Sequence, residues 1–132
     1  MKIYVACHER ELAHSTAEVL SASGHEITSR WHNKAFHPMD FHSEVEREQI
    51  AQEDFDDISA ADSLVLIAGP EKYSGGKFVE AGIALGMGKR VLVIGRRENM
   101  LLWLPQVVAV SAARDAARTL LTELKETPTN GK

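Results

Sequence analysis

Residues 74–82, with the sequence SGGKFVEAG, combine residue types that could do chemistry with a spacing that would let them act together. Gly75 and Gly76 let the backbone approach a ligand closely. The helix predicted to begin after them offers unpaired N–H groups and the positive end of a dipole, which suit an anion. Glu80 falls in the first turns of that helix, where the dipole favours an ionised carboxylate that could act as a nucleophile or base. The alternative for Glu80, taken by itself, is an ordinary solvated residue.

An alternation of strands and helices is predicted around this stretch. Residues 64–68 are continuously apolar and rich in branched side chains, which is typical of a parallel strand buried on both faces. Further strands are predicted at 2–7, 25–30, 91–95 and 107–110, and further helices at 9–22, 43–61 and 112–125. Right-handed crossovers between them predict an α/β fold, a single-domain doubly wound five-stranded parallel sheet with helices on both faces.

Two of the helices carry more detailed predictions. At the start of the helix at 43–61, Ser43 and Glu46 fit a capping box. The periodicity of the helix at 9–22 also indicates which side chains face the core. They are Leu12, Thr16, Val19 and Leu20.

A ligand would bind beyond the carboxyl ends of the strands, at the switch in strand order. Three segments converge there, namely residues 4–10, residues 31–42 and residues 74–80. The segment at 31–42, WHNKAFHPMDFH, has no sustained period, and we interpret it as a loop that could act as a lid. The sequence contains neither GxGxxG nor GxxxxGK(S/T), so it lacks the usual dinucleotide and triphosphate loops.

Composition narrows the choice of partners and compartment. The 132 residues fit one domain, predicted at 1–125, followed by a flexible tail at 126–132. A net charge of −4 with intermixed signs argues against nucleic-acid polymers as partners. The single cysteine, Cys7, excludes an internal disulfide, and no apolar run approaches the roughly 20 residues of a membrane span. The start Met1-Lys2-Ile3 shows no signal-peptide pattern, so a cytoplasmic protein is predicted.

Three segments carry a resemblance to a known family: IYVA at 3–6, DFDDISAAD at 54–62 and GGKFVEAGIALGMGK at 75–89. Together they resemble the nucleoside 2-deoxyribosyltransferase family, which includes the 2′-deoxynucleoside 5′-monophosphate N-hydrolases. The most specific part is the joint spacing of Asp54, Asp62, the two glycines and Glu80. The resemblance implies a flavodoxin-like sheet and an enzyme that needs no cofactor and releases a nucleobase.

The resemblance also implies catalytic roles. Glu80 takes the position of the glutamate that attacks C1′ of the sugar, Asp54 that of the aspartate near the base, and Tyr4 that of a tyrosine contacting the nucleophile. Asp62 is expected to be structural, because it fits the Ala-Asp pair that leads into the central strand. The chemistry suits these types, since an ionised carboxylate can trap an oxocarbenium-like sugar while a second carboxyl protonates the departing base.

The position six residues before Glu80 indicates the substrate class. Family members acting on free nucleosides carry an aspartate there, whereas the monophosphate hydrolases carry a serine followed two residues later by a glycine. This chain has Ser74 and Gly76. A hydroxyl and backbone N–H groups can bind a phosphate that a carboxylate would repel, so the resemblance implies a nucleotide.

Further substrate contacts are predicted from all three converging segments. The sequence CHER at 7–10 departs from the Gly-Ser pair that precedes an arginine in the hydrolases, yet Arg10 is still expected to reach phosphate. Trp31, Phe36 and Phe41 could either stack on a base or fill the core. The complete set of predicted substrate-binding residues is Ser74, Gly75, Gly76, Cys7, His8, Arg10, Trp31 and Asn99.

Three histidines recur every five residues, at His32, His37 and His42. They could in principle be metal ligands. The irregular backbone and the lack of cysteine or acidic ligand spacing favour surface or substrate-contacting histidines instead, so no metal is predicted.

The segment RRENMLLWLP at 96–105 resembles the family segment that reaches into the neighbouring subunit's site. There Asn99 would contact the nucleophile or the sugar of that site. An exposed apolar run is costly on a monomer surface, so a homodimer or higher homo-oligomer is predicted, with a local core turn as the alternative. The side chains predicted to be exposed are Met100, Leu101, Leu102 and Trp103.

These observations favour one function and leave two others open. The favoured one is an N-glycosidic bond hydrolase acting on (deoxy)nucleoside 5′-monophosphates, with a glycosyl-enzyme intermediate on Glu80. The alternatives are a nucleoside 2-deoxyribosyltransferase that exchanges bases, and a non-catalytic nucleotide-binding protein on the same fold.

Overall fold

A computed structural model of the chain describes residues 1–34, 42–69 and 75–126. Over these residues it contains five strands and four α-helices, joined in part by two short 3-10 turns at Trp31–Asn33 and Met100–Trp103. In chain order the elements are β1 (Lys2–Ala6), α1 (Arg10–Ala22), β2 (Glu26–Ile27), α2 (Glu44–Ala60), β3 (Ser63–Ile67), α3 (Gly76–Gly86), β4 (Arg90–Ile94), β5 (Val107–Val110) and α4 (Ala113–Glu126).

The strands form one sheet in the order β2-β1-β3-β4-β5, with every neighbouring pair parallel. This order is that of the flavodoxin-like doubly wound fold, and the switch in direction falls between β1 and β3. The predicted fold class is therefore confirmed. The central strand β3 is buried along its whole length, as its continuous apolar sequence indicates.

Successive residues of the strands alternate between two cores. On one face Tyr4, Leu64 and Val91 pack with residues of α2 and α3. On the other face Ile3 and Val65 pack with residues of α1 and α4. Burying both faces of the sheet leaves its carboxyl-terminal edge as the place where loops can build a site.

The core face of α1 differs from the prediction. Leu12 and Val19 are exposed, so that part of the prediction was wrong, whereas Thr16 and Leu20 are buried as predicted. The buried stripe is completed by small residues, which the search for large apolar side chains overlooked, and α1 lies directly against α4. The buried residues of α1 are Ala13, Thr16, Ala17 and Leu20.

Strand β2 covers two residues rather than the predicted 25–30. The last backbone bond to β1 runs from the N–H of Thr28 to the carbonyl of Ile3 at 2.8 Å. Side chains then replace the ladder, because Ser29 Oγ accepts the N–H of Val5 at 3.1 Å and Thr28 Oγ1 donates to the carbonyl of Asp57 at 2.8 Å. The chain can therefore leave the sheet early and turn toward the site at Trp31.

Helix α2 is fixed at both of its ends. The predicted capping box is present, with Glu46 N donating to Ser43 Oγ at 3.2 Å and Ser43 N donating to Glu46 Oε1 at 2.8 Å. That backbone hydrogen bond lowers the pKa of Glu46. At the other end Lys89 Nζ donates to the carbonyls of Ser59 and Ala61, which satisfies carbonyls that a helix end leaves unpaired. Helix α2 is thus a rigid support for the side chains it directs at the site.

Asp62 makes the structural contact that its position suggested. Its Oδ2 accepts the N–H of Lys2 at 2.9 Å, and this bond ties the start of β3 to the start of β1.

None of the helices in the described part of the chain is both long enough and apolar enough to cross a membrane.

Gly95, directly after β4, is expected to tolerate no side chain. Its φ is +106°, and a Cβ there would lie 2.9 Å from Ala68 Cβ. We predict that Gly95→Ala lowers the free energy of unfolding by about 2 kcal/mol or more. Gly86→Ala is the matched control, because Gly86 has open space around it and lies in a helix, where alanine should stabilise by up to about 1 kcal/mol. Urea denaturation measures both, and equal midpoints for Gly95→Ala and wild type would contradict the steric account.

Candidate active site

A cavity of about 570 Å³ lies at the carboxyl ends of β1, β3 and β4. This is the position where ligands bind in doubly wound sheets. It is formed by the turn after β1, the start of α3 and the segment after β4, with single side chains from the 3-10 turn and α2. The described residues that line it are Cys7, His8, Trp31, Asp54, Gly69, Gly75, Gly76, Lys77, Phe78, Glu80, Arg96, Arg97 and Glu98.

Glu80 reaches the cavity from the second turn of α3. Gly75 caps this helix with a left-handed φ of +85°, which glycine adopts at little cost, and its carbonyl accepts the N–H of Phe78 at 2.9 Å. Tyr4 Oη donates to Glu80 Oε2 at 2.6 Å. The predicted neighbourhood of Tyr4 and Glu80 is therefore present as a direct hydrogen bond.

The Glu80 carboxyl changes between its protonated and its ionised form near neutral pH. Burial raises its pKa to about 7, and Asp54 adds to the rise, while the hydrogen bond from Tyr4 opposes it. The pKa of Tyr4 is itself raised far above its usual range, first by burial and then by Glu80. Tyr4 thus stays protonated, donates its hydrogen bond and favours the ionised form of the Glu80 carboxyl.

Asp54 reaches the cavity from α2, and its Oδ1 is buried without a hydrogen-bond partner among the described residues. The pKa of Asp54 is raised to about 6, first by burial and then by the charges of Glu53 and Asp57, whereas Lys34 and Arg30 partly offset the rise. Asp54 therefore keeps a fraction of protonated carboxyl near neutral pH. A buried carboxyl with an unused oxygen is suited to exchange a proton with a ligand.

The charged surroundings of Asp54 are held by an ion pair beside it. The guanidinium of Arg30 binds the buried carboxylate of Asp57, with Nη2 to Oδ1 at 2.7 Å and Nε to both oxygens. Arg30 Nη1 also lies 3.4 Å from Glu53 Oε2. These contacts join the segment between β2 and the 3-10 turn to α2, within one turn of Asp54, which fixes the position of the Asp54 backbone.

Four charged lining residues were absent from the predicted site, namely Lys77, Arg96, Arg97 and Glu98. Lys77 directly follows the two glycines, and the other three residues follow β4 and Gly95. All four therefore lie at the carboxyl edge of the sheet. Their position relative to the predicted strands could have identified these four residues as part of the site. Their pairing could not be found that way, because Lys77 and Glu98 are far apart in sequence.

Most of the predicted site residues come together in this cavity. Cys7, His8 and Trp31 line it together with Asp54 and the residues at 75, 76 and 80. Burial raises the pKa of the Cys7 thiol, so Cys7 is a poor candidate for a nucleophile. Trp31 packs against the core and also lines the cavity, and its Nε1 donates to the carbonyl of Val5 at 2.8 Å. Its stacking on a base stays a prediction.

Arg10 and Asn99 lie elsewhere in the described structure. Arg10 lines a neighbouring cavity of about 760 Å³, which shares His8, Trp31 and Asp54 with the first. Asn99 caps the 3-10 turn after β4, where its Oδ1 accepts the N–H of Leu101 at 3.1 Å. The prediction for Ser74 lies outside the described residues, as do those for Phe36, Phe41 and His37 and most of the tail at 126–132.

His32, one of the spaced histidines, is buried within the fold. Its Nε2 lies 2.8 Å from Ser29 Oγ, and its ring packs edge-on against Trp31. Burial lowers the pKa of His32, so the imidazole is neutral at pH 7. Among the described residues no three His, Cys, Asp or Glu side chains are grouped as a metal site requires.

The sheet order and a cavity with two perturbed carboxyls at its carboxyl edge define an α/β enzyme of the flavodoxin-like class. The sequence profile of the family described as nucleoside 2-deoxyribosyltransferase matches residues 3–131. The chain belongs to this family. No curated protein matches the chain in sequence.

Solved structures agree with this assignment. The 2-deoxyribosyltransferase of Bacillus psychrosaccharolyticus is similar with a TM-score of 0.70 and 28% identity, over 89% of this chain and 90% of that one. A CMP N-glycosidase from Clostridium botulinum shares the fold with a TM-score of 0.57 and 17% identity, over 91% and 98%. A conserved protein from Enterococcus faecalis does so with a TM-score of 0.65 and 17% identity, over 93% and 98%.

Proposed function

We propose that this protein cleaves the N-glycosidic bond of (deoxy)nucleoside 5′-monophosphates and releases the nucleobase. The observation that carries the proposal is the presence of two carboxyls in one cavity. Glu80 accepts a hydrogen bond from Tyr4 at 2.6 Å, and Asp54 has a buried oxygen without a hydrogen-bond partner among the described residues. The two carboxyls have different surroundings and would take different roles, one as nucleophile and one as acid.

In the first step the Glu80 carboxylate forms a bond to C1′ as the bond from C1′ to the base nitrogen breaks. The electron pair of the broken bond goes to the base, which receives a proton from Asp54. The sugar passes through an oxocarbenium-like state that the carboxylate stabilises, and a glycosyl ester results. Tyr4 holds the Glu80 carboxylate in place without giving up its own proton.

In the second step water attacks C1′ of the ester. Its proton goes to the Asp54 carboxylate, and Glu80 leaves as a carboxylate, so both groups return to their starting states. A second base in place of water would give base exchange. The similarity to the transferase from Bacillus psychrosaccharolyticus, at 28% identity, supports exchange as the second candidate function.

The preference for a monophosphate rests on the sequence pattern at 74–76 and on the start of α3. Gly75 and Gly76 lie on the cavity wall, where the first N–H groups of α3 have no partner within the helix. The CMP N-glycosidase from Clostridium botulinum, whose name states a nucleotide substrate, shares the fold.

One assay separates the candidate functions. Purified protein is incubated with nucleosides and with their 5′-monophosphates, each with and without a second free base, and released and newly joined bases are separated by chromatography. Base released from monophosphates in the absence of acceptor supports the hydrolase. Product that forms only with the second base identifies a transferase, and binding without either product identifies a non-catalytic protein.

We also propose that the 3-10 turn at Met100–Trp103 lies in an interface between two copies of the chain. Met100, Leu101 and Trp103 are exposed, with 83% of Met100 accessible, whereas Leu102 is buried and was wrongly predicted to be exposed. An apolar surface of this kind is typical of a contact between subunits. Asn99 precedes the turn and would complete the neighbouring site from there.

For this interface we predict that light scattering shows at least a dimer and that Met100→Asp gives a folded monomer with reduced activity. The charge would be buried in the interface but exposed on the single chain, so the fold should persist. Val45→Asp is the matched control, since Val45 is 62% exposed and lies on α2. An active wild-type monomer would contradict the shared site.

A further inference from the structure

Three charged side chains form a cluster on the wall of the cavity, namely Lys77, Glu98 and Arg96. Lys77 Nζ donates to Glu98 Oε1 at 2.8 Å, and the two side chains are only 8% and 10% exposed. The other carboxylate oxygen of Glu98, Oε2, lies 3.9 Å from Arg96 Nη2, and Arg96 is largely exposed at the cavity rim. A single carboxylate therefore lies between two cations, which leaves the cluster with one net positive charge.

The two cations of the cluster also bind backbone carbonyls at the end of β3 and just after it. Lys77 Nζ also donates to the carbonyl of Ile67, the last residue of β3, at 3.1 Å. Arg96 Nη2 donates to the carbonyl of Gly69 at 3.4 Å. Both cations are thus attached to the backbone at the end of β3. An ammonium has three N–H donors, and the described residues provide partners for two of them.

Arg10 was the cation expected to meet a phosphate, but it lines the neighbouring cavity instead. The cavity that contains Glu80 takes its cations from Lys77, Arg96 and Arg97. Arg97 is engaged elsewhere, since its Nε donates to the carbonyl of Leu102 at 2.8 Å and its guanidinium lies 4.6 Å from the ring of Trp103. Lys77 and Arg96 are therefore the cations best placed to meet an anionic ligand.

We propose that Lys77, together with Arg96, contacts the 5′-phosphate of the substrate, and that Glu98 is a positioning residue that holds both cations in place. This inference rests on the proposed function and names the residues that decide between a nucleotide and a free nucleoside. A lysine side chain loses rotamer freedom when it is ordered. Because Glu98 and the Ile67 carbonyl already order Lys77, this loss would not be incurred on binding.

The test measures binding rather than turnover, so it does not depend on catalysis. Calorimetry in a Glu80→Gln background compares the four 2′-deoxynucleosides with their 5′-monophosphates, and includes 2-deoxyribose 5-phosphate as a probe without a base. Lys77→Met would leave Glu98 buried without its closest partner, so the main variant is Lys77→Met with Glu98→Gln, which removes both charges of the pair. Arg118→Gln with Glu18→Gln, on the exposed sides of α4 and α1, is the control, because it also removes one charge of each sign.

We expect the pair variant to bind monophosphates and 2-deoxyribose 5-phosphate about 10- to 100-fold more weakly, because a charge-assisted hydrogen bond is lost. Binding of free nucleosides should stay within about threefold, and a purely structural role could not produce this difference. Equal weakening of both ligand classes, no weakening, or a wild-type site that does not prefer monophosphates would overturn the inference. If the pair variant loses the preference for monophosphates, and the protein with Glu80 intact releases no base from them, the result would support the cluster and refute the glycosidase.

Discussion

Glu80→Gln is expected to lower base release by at least about 1000-fold while the protein stays folded. Glutamine retains the size of the side chain and can still accept the hydrogen bond from Tyr4, but it cannot form the glycosyl ester. Release of base at each pH is measured by chromatography under single-turnover conditions. Glu18→Gln, on the exposed face of α1, is the control for removing a carboxylate and should keep full activity.

The same substitution should make the protein more stable above neutral pH. The pKa of Glu80 in the folded protein, about 7, lies above its ordinary value of 4.5, so the folded chain holds a proton that the unfolded chain releases between these values. Stability contributed by the protonated carboxyl is therefore lost as pH rises from about 4.5 to 7. At pH 8, Glu80→Gln should gain on the order of 1 kcal/mol or more in the free energy of unfolding. Near-normal turnover by this folded variant would refute the nucleophile assignment.

Much of the sheet could be predicted because its strands are short apolar runs, each followed by a turn or a helix start. Strand β5 covers 107–110 as predicted, and β3 and β4 differ by one residue at each end. Strand β2 lies within its predicted range, but its end could not be predicted, since it depends on Ser29 Oγ accepting the N–H of Val5 from the neighbouring strand. The sequence pattern contains no information on such a bond.

The candidate site, too, could be predicted from the sequence only in part. Asp54 and Glu80 could be selected from their spacing within the family pattern, and both line the cavity. The contact of Lys77 with Glu98 depends on how the first turn of α3 faces the end of β4, which only the packed structure specifies. Which residues of α1 are buried likewise depends on packing. The close approach of α4 favours alanines there over the larger side chains that an apolar periodicity predicts.

Burial is the main cause of the raised pKa of Glu80, and the charge of Asp54 adds to it, so the ionisation of Glu80 depends on that of Asp54. At low pH both are protonated, and Glu80 cannot attack. At high pH both are ionised, and the base receives no proton. The productive form carries its single proton on Asp54 and has an ionised Glu80. Because the pKa of Glu80, about 7, is higher than that of Asp54, about 6, this is the less populated of the two one-proton forms, but its population is still greatest between these values.

We therefore expect a bell-shaped dependence of kcat/KM on pH in the wild type, with its maximum between these values. Asp54→Asn removes the general acid and should lower kcat by about 100- to 10,000-fold. Its remaining activity should rise as Glu80 ionises and then stay level, because no second carboxyl is left to lose a proton. The alkaline limb of the profile should thus disappear.

Asp56→Asn is the matched control for this experiment, since Asp56 is exposed on the same helix and its Oδ1 accepts a hydrogen bond from Gln52 at 2.8 Å. It should keep both limbs of the wild-type profile. An alkaline limb that persists in Asp54→Asn would assign the proton donor to another group, because the substituted side chain cannot titrate. A wild-type rate that keeps rising above pH 8 would show that base release needs no protonated carboxyl at all.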